Sequence, residues 1–129
     1  MSAYSVLIDS SVWIEYFKSG GMPKLDRLIE EDLASINELI LTELASSLML
    51  KKETEILEGL NAMEIIPLNI DWDIVRDYQL MNMKNGINKV GIPDLMILQQ
   101  VIEKRISLFS LDKHFRLMQK HLKFDLITE

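Results

Sequence analysis

Apolar residues recur along this chain in two alternating rhythms. Short runs at residues 4–8 (YSVLI), 33–36 (LASI), 63–68 (MEIIPL), 106–110 (ISLFS) and 124–127 (FDLI) are too short for helices and rich in strand formers, so they read as strands. Between them the spacing widens. Leu41, Leu44, Ala45 and Leu48 fall at i, i+3, i+4 and i+7, which predicts an amphipathic helix over 38–50. Helices are also expected over 10–17, 23–31, 53–62, 71–84 and 112–122, the last with Phe115, Met118 and Leu122 on one face. Ser19, Gly20, Gly21 and Pro23 break the chain early, and Asn85 and Gly86 stop the helix before them. Pro93 stands in the first turn of a helix within 86–105, where its missing amide proton does no harm. Strands alternating with helices at these connection lengths predict an α/β fold, a single domain over 1–129 with a mainly parallel central sheet flanked by helices.

Composition narrows the setting. At 129 residues and 48% hydrophobic, the chain can bury a core without staples. It has no cysteine, which removes disulfide and thiol chemistry and is compatible with a reducing compartment. No basic segment precedes the first apolar run, and no run approaches the roughly 18 apolar residues of a spanning helix, so a cytoplasmic protein is expected, with no membrane partner. A net charge of −6 argues against general coating of nucleic acid. The charge is unevenly spread, however. Lys104, Arg105, Lys113, Arg116, Lys120 and Lys123 face only Asp112 between residues 104 and 123, a local balance of +5 that reads either as a solvated helix face or as a phosphate-steering patch.

In parallel sheets of this kind, ligands lie outside the carboxyl ends of the strands, where strand order reverses. Asp9 follows the first strand, Asp94 opens the helix after Gly91 and Pro93, and Asp112 follows the strand 106–110, so all three are expected at strand-to-helix junctions on one edge. Glu43 lies within the unusually apolar helix 38–50. Taken singly, Asp9 and Asp112 are explicable as helix caps, Asp94 as an acid offsetting a helix dipole and Glu43 as a surface residue. As a group they would repel: two unit charges about 5 Å apart oppose each other by roughly 3 kcal/mol at an effective dielectric of 20. A hard divalent cation relieves that repulsion, and Mg2+ or Mn2+ prefers oxygen ligands shared with phosphate. His114 and His121 lack zinc spacing and are expected on an exposed basic helix face. The implied chemistry is metal-assisted hydrolysis of a phosphodiester. Lys113 and Arg116 beside Asp112, with Lys84 and Lys89 in the loop before Asp94, read either as contacts to a phosphate backbone or as residues that serve solubility.

The order of the pieces carries further information. Asp9-Ser10-Ser11 with Val12-Trp13, then Thr42-Glu43-Leu44, then residues 91–97 (GIPDLMI), then residues 108–115 (LFSLDKHF) resemble the PIN domain, and within it the VapC-like toxin ribonucleases, over nearly the whole chain. The resemblance implies a five-stranded parallel sheet between helices and a Mg2+- or Mn2+-dependent endoribonuclease. It also implies an antitoxin protein as partner and a homodimer. Asp9, Glu43, Asp94 and Asp112 match the family's metal-holding acids. Ser10 matches the hydroxyl after the first acid, and Ser110 stands where the family has threonine. Trp13, Tyr16 and Phe17 form an aromatic cluster that reads either as a surface for such a partner or, in part, as core packing. One departure is Leu98, Gln99 and Gln100, where many relatives carry small residues.

Two other classes share parts of this pattern. A receiver-type phosphoacceptor domain needs a pair of acids after its first strand, whereas Asp9 is followed by serines. A non-catalytic PIN-like interaction module would not require all four acidic positions to be filled, as they are here. A PIN-fold RNA-processing nuclease without an antitoxin is the nearer alternative.

Overall fold

The computed structural model describes residues 5–128, so Tyr4, the first residue of the strand predicted over 4–8, lies outside the described residues. In chain order the elements are β1 (Val6–Ile8), α1 (Ser10–Ser19), α2 (Pro23–Glu30), β2 (Ala34–Ile36), α3 (Glu38–Leu50), α4 (Thr54–Asn61), β3 (Glu64–Ile65), α5 (Trp72–Lys84), α6 (Ile92–Lys104), β4 (Ser107–Phe109), α7 (Lys113–Met118) and β5 (Asp125–Ile127). The five strands pair in parallel throughout, in the order β3-β2-β1-β4-β5. Every residue of β1 and β2 is buried, which requires cover on both faces of the sheet. Leu7, Ile8, Ile36, Leu108 and Phe109 form the fully buried centre of that layer.

The chain runs outward from β1 through β2 to β3, then returns to lay β4 on the other side of β1. Strand order therefore reverses between β1 and β4, and the two carboxyl ends are tied where Asp9 N–H donates to the Phe109 carbonyl at 2.9 Å. This is the crevice in which such sheets bind ligands.

Asp94 reaches the same edge by a different route from the one expected. Its helix, α6, follows α5 through the loop 85–91 and no strand intervenes, so only Asp9 and Asp112 occupy strand-to-helix junctions. Because α6 ends just before β4 begins, it runs from the carboxyl edge of the sheet back to the amino edge. Its first turn, with Asp94, is thereby left at the carboxyl edge.

Two elements fall short of their sequence patterns by more than two residues. The helix expected over 112–122 ends at Met118, because the chain must turn back to pair β5 with β4; the next residues close as turns, with His121 and Leu122 N–H both donating to the Met118 carbonyl. Phe115 and Met118 are fully buried nonetheless, and Leu122 packs against the core. The strand expected over 63–68 pairs only at Glu64–Ile65.

Beyond that pair, glutamine side chains take over from the strand ladder. Gln100 is 5% exposed; its amide donates to the carbonyls of Ile66 and Pro67 and accepts from Asn37 Nδ2 at 2.7 Å. Asn37 in turn caps α3 by accepting from Ile40 N–H. Gln99 accepts from Asp71 N–H and donates to the Asn69 carbonyl and to Glu103. The departure at 98–100 is thus structural: two buried amides fasten the segment 66–71 to α6. Gln100→Ala leaves the Asn37 amide and two carbonyls short of partners and is expected to destabilise the fold by about 2–3 kcal/mol, read as a lower urea midpoint at constant slope.

The aromatic group on α1 serves packing more than a surface. Trp13 is 3% exposed and stacks on Phe17 with centroids 5.9 Å apart, and Tyr16 donates its hydroxyl to Asp26 at 2.6 Å, which fastens α1 to α2. Only Phe17, with the half-exposed Ile14, contributes to a surface hollow of about 320 Å3 between α1, α3 and α4.

Candidate metal centre

Asp9 is the buried member of the acidic set, at 4% exposure. It occupies the N-cap position of α1 without capping through its side chain. Its Oδ2 accepts instead from Ser11 Oγ at 2.8 Å and Ser110 Oγ at 2.9 Å, and among the described residues no protein donor reaches its Oδ1. The two hydroxyls are themselves held by backbone, Ser11 Oγ accepting from Leu111 N–H and Ser110 Oγ from Asp112 N–H. A continuous hydrogen-bonded path therefore runs from the end of β1 to the segment after β4. It aims one carboxylate oxygen and leaves the other without a protein donor among the described residues.

Asp112 does cap its helix, its Oδ1 accepting from His114 N–H at 2.9 Å. The same oxygen lies 3.2 Å from His114 Nδ1. Capping and membership of the acidic set are thus compatible, since a carboxylate has two oxygens. Asp94, Asp112 and His114 form a group whose ligand atoms lie within 4.8 Å of one another. Asp9 and Glu43 stand outside that group, yet both interact electrostatically with Asp94.

The charges are poorly compensated. Burial first, then the charges of Asp9, Asp112 and Glu43, push the pKa of Asp94 from 3.8 up to about 7. Glu43 is exposed as a residue, but its carboxyl end is turned toward Asp9. Partial burial there, then Asp9, raises its pKa, and a hydrogen bond from Ser10 works in the opposite direction. Among the described residues no lysine or arginine forms an ion pair with any of the four acids; His114 alone does, with Asp112. Like charges brought together without a counter-ion are what a divalent cation relieves.

The donor set fits such an ion. Ligands about 2.1 Å from one Mg2+ span at most about 4.2 Å, so the group at Asp94 and Asp112 needs little adjustment. The carboxylate oxygens suit Mg2+ and Mn2+ alike, while the His114 nitrogen favours the transition metal.

Ser11 holds Asp9, and Ser10 serves Glu43. Sequence reasoning and geometry differ over the histidines. His114, expected on an exposed face, is half-buried beside Asp112, and His121 is tied through Nε2 to Asn82 Oδ1 at 2.7 Å. The basic run of 104–123 is divided among separate hollows. Lys113 and Lys120 line one hollow with Lys89, while Arg105 and Lys123 line another, and Lys84 and Arg116 line neither. The signal for His114 was present as an imidazole two residues after an acid at a helix start.

A parallel sheet with carboxylates gathered at its switch point defines a class, the α/β domains with an acidic site at the carboxyl edge. Within that class the chain belongs to the PIN domain family, whose pattern it matches over residues 6–120. No curated protein matches the sequence. Among solved structures it is similar to a chain of the DNA-bound VapBC from Salmonella typhimurium, at 14% identity and TM-score 0.77 over 97% of this chain and 98% of that one. It is also similar to a chain of VapBC-5, a toxin-antitoxin system of Mycobacterium tuberculosis, at 20% identity and TM-score 0.71 over 99% and 100%. VapBC-1 from nontypeable Haemophilus influenzae gives 14% identity and TM-score 0.71 over 95% and 96%. At these identities the likeness is one of fold.

Proposed function

We propose that this protein is a divalent-metal-dependent endoribonuclease and the toxin of a toxin-antitoxin pair. The observation that carries the reading is Asp94, pushed to about 7 by burial and three neighbouring carboxylates with no lysine or arginine ion-paired to any of them among the described residues. Asp94 and Asp112 would hold the ion with Asp9 and Glu43, directly or through water, and His114 offers a nitrogen. When bound, the metal supplies a water of lowered pKa and offsets charge at phosphorus and its leaving oxygen.

The chain's own residues set the geometry. Ser11 and Ser110 fix Asp9, Ser10 orients Glu43, and Lys89 and Lys113 meet backbone phosphates beside the acids. RNA as substrate puts the site of action in the cytoplasm; among the described residues no helix is long and apolar enough to cross a membrane. The hollow at Ile14, Phe17, Leu48 and Ile56 adjoins Glu43 and suits an apolar antitoxin segment, as the similarity to chains of VapBC complexes supports. The exposed side chains of Trp72, Leu80 and Met83 on α5 supply an apolar face for a homodimer.

The test is incubation of the purified protein with structured and single-stranded RNAs in Mg2+, in Mn2+ and in chelator. Cuts at fixed positions with either metal and none in chelator are expected. Cleavage that persists in chelator, or no cleavage with any metal, removes the reading.

A further inference from the structure

Beside the acids lies a hollow of about 450 Å3 between the loop 85–91 and α7 with the turn that follows it. His114 belongs to both, its imidazole touching Asp112 on one side and lining the hollow on the other. The loop can wrap the hollow because Gly86, at φ 75, turns the chain sharply out of α5 in a conformation that side chains rarely adopt.

The lining is chemically divided. Lys89, Lys113 and Lys120 bring three positive charges and, among the described residues, no carboxylate lines the hollow, in a protein whose net charge is −6. Ile87 and Leu117 provide an apolar wall. The amide of Asn85 is committed to the Met81 carbonyl at 2.7 Å, whereas the amide of Asn88 makes no hydrogen bond among the described residues. A volume in the range of about 300–1,000 Å3 accepts a small ligand. Cations, an apolar wall and one free amide match a phosphate, a base face and a base edge in that order.

We infer that this hollow seats one unpaired nucleotide of the RNA next to the scissile phosphate, with Lys89 and Lys120 on its phosphates and Asn88 reading its base. The amide of Asn88 offers both a donor and an acceptor to a base edge. A base stacked and paired in a duplex has no way in, so the cut falls in a single-stranded stretch. The inference rests on the nuclease reading for the chemistry at the acids, but occupancy of the hollow is measurable without cleavage.

The experiment is fluorescence anisotropy of the full chain with a short, unstructured, fluorescein-labelled RNA in chelator across a salt titration. Lys89→Ala/Lys120→Ala is expected to bind about 10-fold more weakly, with a salt slope shallower by about 1.4, near 0.7 for each lysine. An abasic residue scanned through the RNA should weaken wild-type binding at one position, and that position should be lost in Asn88→Ala. Unchanged affinity and slope in the lysine variant, or equal competition by a duplex of the same sequence, overturns the pocket. A wild type with these binding signatures that cuts no RNA with Mg2+ or Mn2+ overturns the nuclease reading alone. One that cuts, while its lysine variant binds unchanged, overturns the pocket alone.

Discussion

Asp9→Asn and Asp94→Asn are each expected to lower RNA cleavage on the order of 10^2 to 10^3-fold, the scale for losing one fixed electrostatic contact to a transition state. The two substitutions keep shape and remove charge, so the fold should survive both. Asp9 is the sterner test because it is buried, and its Oδ2 accepts from two serines. An asparagine oxygen accepts the same two hydroxyls, so far-ultraviolet circular dichroism and cooperative melting should be preserved. Ser110→Ala separates orientation from charge. It frees Asp9 from one of its two hydroxyl donors and leaves Asp112 N–H without its acceptor, and a loss of about 10 to 100-fold is expected, the range for residues that support metal ligands. If Asp9→Asn turns over near the wild-type rate in a clean preparation, the four-acid site is wrong. A Ser110→Ala loss as large as that of Asp9→Asn would point to collapse of the β1–β4 junction.

Much of the fold can be read from rhythm alone, because periodicity reports which face of an element meets the sheet. The helix 38–50 is the clearest instance, its apolar stripe at Leu41, Leu44 and Leu48 being buried in α3. Crossovers are less legible. That β4 returns to the far side of β1 follows from long-range packing, and with it the route by which Asp94 reaches the acidic edge. Gln99 and Gln100 look like a solvated pair in the sequence, yet they are buried because the carbonyls of 66–69 need donors that a two-residue strand does not provide. The basic run suffers the opposite fate. Its charges are adjacent in sequence but straddle the end of α6, β4 and α7, so the fold sends them to different hollows. Glu43 was visible mainly through the family resemblance, since a glutamate on a helix carries no signal of its own until the acid it faces is known.

The metal-free protein should lose stability as pH rises from about 4 to about 7, and Asp94 sets the sign. Its pKa is 3.8 ordinarily and about 7 in the fold, so between those values the folded state keeps a proton that the unfolded chain gives up. The folded state binds more protons there, and stability falls with rising pH until the carboxyl is ionised in both states. Glu43, raised by burial and by Asp9, acts in the same direction. Allowing for solvent screening of a partly exposed group, ionised Asp94 costs on the order of 2 kcal/mol, or about 6–10 °C in Tm for a chain of this size. Asp94→Asn should therefore melt higher than wild type at pH 8 without metal, and the two should converge near pH 4. Millimolar Mg2+ or Mn2+ should raise the wild-type Tm at pH 8, do less at pH 5.5 where protons compete for the same oxygens, and do little for Asp94→Asn at either. Calorimetry in chelator and in metal measures all of these. A wild-type profile parallel to that of Asp94→Asn across this pH window would mean that the carboxylates do not meet closely enough to feel one another, and the cation would then have no reason to bind.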